Sequence, residues 1–147
     1  MNGDVFVDTN IFLYALTIPD SPSSSDLEKH EKAMEFFKTT ILDAESLVTS
    51  VQIINEVHFN LVRKFHIGDP LAFELVKTRI VSNFEVLPVS ISAWYKSIEL
   101  RSRYSLSYWD SLMVSSAMER SCSFLVTEDL QDGLVINKEL RIVNPLV

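Results

Sequence analysis

Two hydrophobic periods alternate along the chain, one of strand type and one of helix type. Val5-Phe6-Val7 is a short apolar run closed by Asp8 and reads as a buried strand. Ile11 to Leu16 follows as a short helical or turn-like segment, and the Pro/Ser-rich stretch from Ile18 to Ser25 reads as a loop. Ser25 and Glu28 form a capping-box pattern, which opens a helix with Leu27, Met34, Phe37 and Ile41 on one face. Leu47-Val48-Thr49 predicts a second strand. Ser50 then starts a helix whose apolar stripe is Ile53, Ile54, Val57, Leu61, Val62 and Phe65. Gly68-Asp69-Pro70 stops that helix and begins another, with Asp69 as N-cap and Pro70 in the first turn, burying Leu71, Leu75, Val76 and Ile80.

Phe84 to Leu87 predicts a third strand, ended by Pro88, and a helix from about Ser92 carries Trp94, Tyr95 and Ile98. Ser107, with Asp110 three residues on, marks a further helix through about Arg120. Phe124-Leu125-Val126 predicts a fourth strand and Arg141-Ile142-Val143 a weaker fifth. Strands alternating with helices give an α/β fold, a central parallel sheet of about five short strands flanked by helices. At 147 residues, without an internal repeat, one domain spanning 1–147 is expected. Trp94, Tyr95, Tyr108 and Trp109 are assigned to core and helix contacts, with base stacking as the alternative.

Composition narrows the chemistry. With 47% hydrophobic and 22% charged residues, the chain is a compact folder and not a disordered one. Its three glycines (Gly3, Gly68, Gly133) are scattered, which excludes a dinucleotide fingerprint or a phosphate-binding loop. A lone Cys122 excludes a disulfide framework and any multi-cysteine zinc site, and His30, His58 and His66 lack the spacing of a zinc protease. No apolar run approaches the roughly 20 residues of a bilayer span, and the first residues lack a secretory signal, so a cytoplasmic protein without membrane contact is expected. The net charge of −7 argues against a broad basic face for nucleic acid.

Carboxylates and hydroxyls remain. Asp8 follows the first strand, and Glu56 lies near the start of the helix after the second. Asp110 is in the first turn of the helix before strand four, and Asp129 lies just past that strand. In open parallel sheets the carboxyl ends of the strands form the ligand crevice, where Asp8, Asp129 and Glu56 are placed to project. Asp110 joins them only if its helix starts at the crevice and runs away from it. Crowded carboxylates repel one another unless a cation is present, and hard divalent ions take oxygen ligands. One or two such ions can activate water and stabilise a leaving oxygen, with Thr9 and Thr127 orienting ligands around them. Each acid also has a plain reading: Asp8 as a turn or N-cap, Glu56 as a solvated helix residue, Asp110 as a first-turn acid, and Asp129 and Asp132 as turn residues beside Gly133. Arg101 and Arg103, shortly before Asp110, are the candidates for phosphate contact, with ordinary solvated charge as their default.

The segments Val5-Phe-Val-Asp-Thr-Asn-Ile-Phe-Leu-Tyr14, Thr49-Ser-Val-Gln-Ile-Ile-Asn-Glu56 and Tyr108-Trp-Asp-Ser-Leu-Met-Val-Ser-Ser-Ala117 resemble the three main acidic blocks of PIN-domain nucleases. Thr127-Glu-Asp-Leu-Gln-Asp-Gly133 and Arg141-Ile-Val-Asn-Pro145 resemble the family's last block and closing strand. The resemblance spans nearly the whole chain and is closest to VapC-type toxins of toxin–antitoxin pairs. It implies a Mg²⁺- or Mn²⁺-dependent endoribonuclease that is a homodimer inhibited by a small antitoxin. It further implies that Asp8, Glu56, Asp110 and Asp129 are catalytic and that Asp8, Asp110 and Asp129 hold metal. Thr9, Asn10, Thr127 and Asp132 would support them, with Asp132 able to supply or share the fourth acidic role. The alternatives are a PIN nuclease outside toxin–antitoxin systems and a non-catalytic PIN binding module. Phosphotransfer on Asp8 fits poorly, because Asn10 stands where a haloacid-dehalogenase type needs a second Asp and no lysine follows strand four in the manner of a receiver domain. Two bound divalent ions would offset more than half of the net negative charge, so RNA would be met locally, and the acidic surface elsewhere suits a basic partner.

Overall fold

The computed structural model describes residues 1–147. In chain order the elements are β1 (Gly3–Val7), α1 (Thr9–Leu16), α2 (Ser24–Lys38), β2 (Ala44–Ser50), α3 (Val51–Arg63), α4 (Asp69–Leu75), β3 (Glu85–Leu87), α5 (Ile91–Tyr104), α6 (Tyr108–Glu119), β4 (Phe124–Val126), β5 (Val135–Ile136) and β6 (Leu140–Val143). A single 3₁₀ turn (Thr40–Asp43) precedes β2, and α4 runs on as a π-helical segment (Val76–Val81). The sheet has the order β3-β2-β1-β4-β6-β5, parallel throughout except for the β5–β6 pair. The architecture is thus the helix-flanked parallel α/β sheet that the sequence pattern predicts, with a sixth strand added. β5 is two residues long and antiparallel, too short for any periodic signal.

The central strands are apolar on both faces, as strands covered by helices must be. Val5, Phe6, Val7, Leu125 and Val126 have no exposed surface. From β1 the chain winds outward through β2 and β3, then crosses to the other side for β4. The parallel strands therefore end together, with Val7 beside Val126, Val126 beside Val143, and Ser50 beside Leu87. The order reverses between β1 and β4, and such a reversal opens a crevice at the strands' carboxyl ends.

Several local expectations shift. The capping box of α2 is built two residues earlier, where the Ser23 hydroxyl accepts from the Asp26 N–H (3.0 Å) and the Asp26 carboxylate accepts from the Ser23 N–H (2.9 Å). Leu27 is exposed, while Ala33 and Phe36 face the core. Gly68, not Asp69, is the N-cap of α4, so Leu71 faces outward and Ala72 inward. The aromatic residues differ most. Trp94, Tyr95, Tyr108 and Trp109 are exposed, because α5 buries the small residues Ala93 and Ser97 together with Leu100, which leaves its bulky residues outside. The helix on which α5 packs, α6, is buried at every position from Ser111 to Ala117. Ser115 donates its hydroxyl to the Ala93 carbonyl (2.6 Å), a bond that lets a polar residue lie between the two helices.

This division into inner and outer residues is open to a direct check. Leu125→Ala should cost about 2–5 kcal/mol in urea unfolding, since it opens a cavity beneath β4. Leu71→Ala and Leu27→Ala should each stay within about 0.5 kcal/mol of the parent protein.

Candidate active site

Asp8 stands at the reversal point. Its backbone N–H donates to the Val126 carbonyl (3.0 Å), which continues the β1–β4 ladder one step past the strand. Its carboxylate caps α1, accepting from the Thr9 N–H at 2.6 Å through Oδ1 and from the Thr127 hydroxyl at 2.7 Å through Oδ2. Only 5% of the residue is exposed. Thr127 itself is fully buried beyond the end of β4, and its Oγ1 also accepts from the Asp129 N–H (3.1 Å). This hydroxyl therefore fixes Asp8 and the backbone of Asp129 at once.

Thr9 links the next acid. Its hydroxyl donates to Glu56 Oε2 at 2.6 Å, across 47 residues of sequence. Gln52, one turn earlier on α3, donates its Nε2 to Glu56 Oε1 at 3.3 Å. α3 begins at this edge because the Ser50 hydroxyl caps it, accepting from the Ile53 N–H. The Thr49 hydroxyl donates to the Val7 carbonyl (3.0 Å) and ties the ends of β1 and β2 together. Glu56 thus arrives beside Thr9 through covalent geometry, a cap and two side-chain hydrogen bonds.

Asp110 comes from α6, whose N-cap Ser107 accepts from the Asp110 N–H (3.1 Å). The α5–α6 hairpin returns the chain so that α6 starts near Asp129, and the two carboxylates repel each other there. The condition set by the sequence for Asp110 is thereby met. Desolvation by burial is the main force raising the Asp8 pKa to about 7, and the negative charges of Asp129 and Glu56 raise it further against the opposing hydrogen bonds. Burial also raises Asp129, followed by the charges of Asp110, Glu128 and Glu56. Asp8 thus feels Asp129 and Glu56, and Asp129 feels Asp110 and Glu56, yet no three of these acids close into a tight cage. An open, crowded carboxylate set fits a hard divalent ion, which takes one or two carboxylates and completes its shell with water and phosphate oxygens.

The remaining candidates separate. Asn10 is half-buried in the first turn of α1. Asp132 accepts from the Asn144 N–H (2.9 Å) and so holds the closing segment of the chain. Arg103 donates to Asn137 Oδ1 (3.3 Å) and lies over the Tyr104 ring, so it is committed to the β5–β6 hairpin. Arg101 lines a cleft with Trp94, Tyr95 and Tyr108. Neither arginine has a contact with the acids. The cation beside the last block is Lys29 of α2, which sequence reasoning missed: its Nζ bonds Glu128 Oε2 at 2.9 Å and sits over the Tyr14 ring. Glu128 was missed as well. A Lys–Glu pair 99 residues apart leaves no trace in spacing, whereas Gln52, one helical turn before Glu56, already marks the polar side of α3 in the sequence.

Residues 5–131 match the PIN domain family. No curated protein matches the sequence. Among solved structures, the chain is similar to a toxin–antitoxin complex from Klebsiella pneumoniae, with 18% identity, a TM-score of 0.66, and coverage of 96% of this chain and 97% of that one. It is similar to VapC20 of Mycobacterium tuberculosis, a Sarcin-Ricin loop cleaving toxin, with 17% identity, a TM-score of 0.62, and coverage of 82% and 86%. VapBC2 from Rickettsia felis, bound to a DNA fragment of its promoter, gives 17% identity, a TM-score of 0.62, and coverage of 96% and 99%. At these identities the likeness is one of fold.

The buried carboxylate makes stability depend on pH in a defined direction. Between about pH 4 and pH 7 the unfolded chain has lost the Asp8 proton while the folded chain retains it, so metal-free stability falls as pH rises and levels off above about 7. Asp8→Asn removes a cost on the order of 4 kcal/mol at pH 8. In chelator-treated protein, the variant should unfold at higher urea than the parent at pH 8, with the gap closing toward pH 4. Parallel curves for the two proteins would contradict the buried-carboxylate assignment.

Proposed function

The chain belongs to the PIN domain family, and from that premise we propose that it is a Mg²⁺- or Mn²⁺-dependent endoribonuclease, the toxin of a VapBC-type toxin–antitoxin pair. The observation that carries this reading is the Asp8 carboxylate, buried at the sheet's reversal point within reach of the charges of Glu56 and Asp129, with Asp110 acting in turn on Asp129. Isolated, that arrangement is costly, and a structural role does not require it. Family membership and the toxin-like fold of the similar structures support the same reading.

Asp8, Asp110 and Asp129 would hold the ion, one or two of them directly and the rest through its water shell. When bound, such an ion supplies a more acidic water and offsets charge on the scissile phosphate. Glu56, fixed through both oxygens by Thr9 and Gln52, is oriented to bind through water or to accept the proton of the attacking water. Thr127 keeps Asp8 Oδ2 in one orientation, and the Thr9 N–H does the same for Oδ1. Asp132 serves the closing turn, so Asp129 is the better fourth acid. The reading includes a second copy of the chain and a basic antitoxin as partners. The exposed apolar face of α5 (Ile91, Tyr95, Ile98) and the net charge of −7 suit them respectively. No helix is long and apolar enough to cross a membrane.

Cleavage of total RNA with and without Mg²⁺, followed by mapping of the 5′ ends, tests the proposal. Cleavage should need the ion and vanish in Asp8→Ala and Asp110→Ala. Thr127→Val, which removes the hydroxyl that steers Asp8 and accepts from the Asp129 N–H, should lower metal affinity or activity about 10- to 100-fold. Metal-independent cleavage, or full activity in the Asp110 variant, would overturn it.

A further inference from the structure

A cleft of about 680 Å³ opens directly beside Glu56, within the size range of small-ligand sites. Its walls include Val51, Pro88 and the Trp109 indole, and its polar members are Gln52, Asn55 and Glu56. Trp109 is 61% exposed although it immediately precedes Asp110, and its ring packs edge-to-face with Tyr108 at 5.1 Å. A large aromatic residue held at the mouth of a charged site, and not needed by the core, offers a stacking surface. Gln52 supplies the second observation. Its Nε2 donates to Glu56, which fixes the amide, because the reverse orientation would set two acceptors face to face. Its Oε1 is thereby left buried with no hydrogen-bond donor. A donor entering from the cleft would complete it after a small adjustment of the wall.

Resting on the nuclease reading above, we propose that this cleft is a nucleobase subsite for single-stranded RNA, stacking on Trp109 a base that carries an exocyclic amino group beside the phosphate held at the acids. Single-stranded RNA is recognised in general by stacking unpaired bases on aromatic rings and bonding their edges. Glu56 lines the inner wall here, and Gln52, which also lines it, keeps its Oε1 buried without a donor. Adenine, cytosine and guanine present an amino group to such a wall. Uracil presents two carbonyls flanking its one donor and is disfavoured there. The Asn55 amide, exposed at the rim, can donate to a ring nitrogen or accept from an amine.

The test uses full-length protein carrying Trp94→Phe, which leaves Trp109 as the sole tryptophan. Short oligomers of rA, rC, rG and rU, and an abasic backbone, are titrated with Ca²⁺ in place of Mg²⁺. The amino-bearing oligomers should quench the Trp109 fluorescence and bind more tightly than rU, while the abasic backbone, which cannot stack, should bind about 5- to 150-fold more weakly than they do, the range a stacked base contributes. In otherwise unaltered protein, Trp109→Ala should lose that discrimination and Trp109→Phe restore most of it, and cleavage maps should lose their base preference in the alanine variant alone. Equal binding of all five probes, or no binding by any, overturns the subsite. So does a Trp109→Ala variant that changes elution volume with RNA binding intact, since Trp109 would then belong to an interface between copies. Mg²⁺-dependent cleavage without base selection at Trp109 removes the subsite only, whereas base-selective binding without cleavage removes the nuclease reading only.

Discussion

One carboxylate sets the terms for the rest of the structure. Asp8 is the first residue beyond the central strand, and the sheet reverses direction beside it, so its side chain has nowhere to go except the closed end of the crevice. Two hydrogen bonds, from the Thr9 N–H and the Thr127 hydroxyl, orient it but do not restore the solvation lost on burial. A protonated Asp8 satisfies the fold in isolation, and an ionised one requires positive charge. Every other acid at this edge makes the second requirement sharper.

The hydrogen-bond chain around Asp8 explains how separate elements share one site. Gln52 holds Glu56, Glu56 accepts from Thr9, and Thr9 belongs to the helix that Asp8 caps. Thr127 extends the chain to the backbone of Asp129. The links are polar side chains on α1 and α3 and at the residues just past β1 and β4, elements that the core already fixes. Only Asp110 arrives without such a link. It depends on packing between α5 and α6, where small residues let the helices approach. A site built this way is held by hydrogen bonds on the side of Asp8, while Trp109, beside Asp110, is exposed.

Much of this was legible in the sequence. Val5 to Val7 and Phe124 to Val126 are buried strands because both faces of the central sheet are covered, which yields uninterrupted apolar runs. Ser50 and Ser107 announce their helices because an N-cap hydroxyl is a local requirement. The acids at strand ends follow from the same alternation. What escaped was decided by tertiary packing. Between Ser23 and Ser25, the cap is Ser23, whose hydroxyl and the Asp26 carboxylate close the reciprocal pair. Tryptophan and tyrosine on α5 and α6 carry the composition of core residues, yet their helices meet through smaller ones. Arg101 and Arg103 are near Asp110 in sequence, but the helix hairpin directs them elsewhere. Lys29, distant in sequence, is the cation that reaches the last block.

The central claim is that a divalent ion takes the place of the Asp8 proton, and proton-linked calorimetry tests it most directly. Mn²⁺ is titrated into metal-free protein in buffers of differing ionisation heat. Near pH 7 binding should release protons, the release should fall as pH rises above the Asp8 pKa, and Asp8→Asn should reduce it. Binding with no proton release near pH 7, or a release unchanged in Asp8→Asn, would contradict the account.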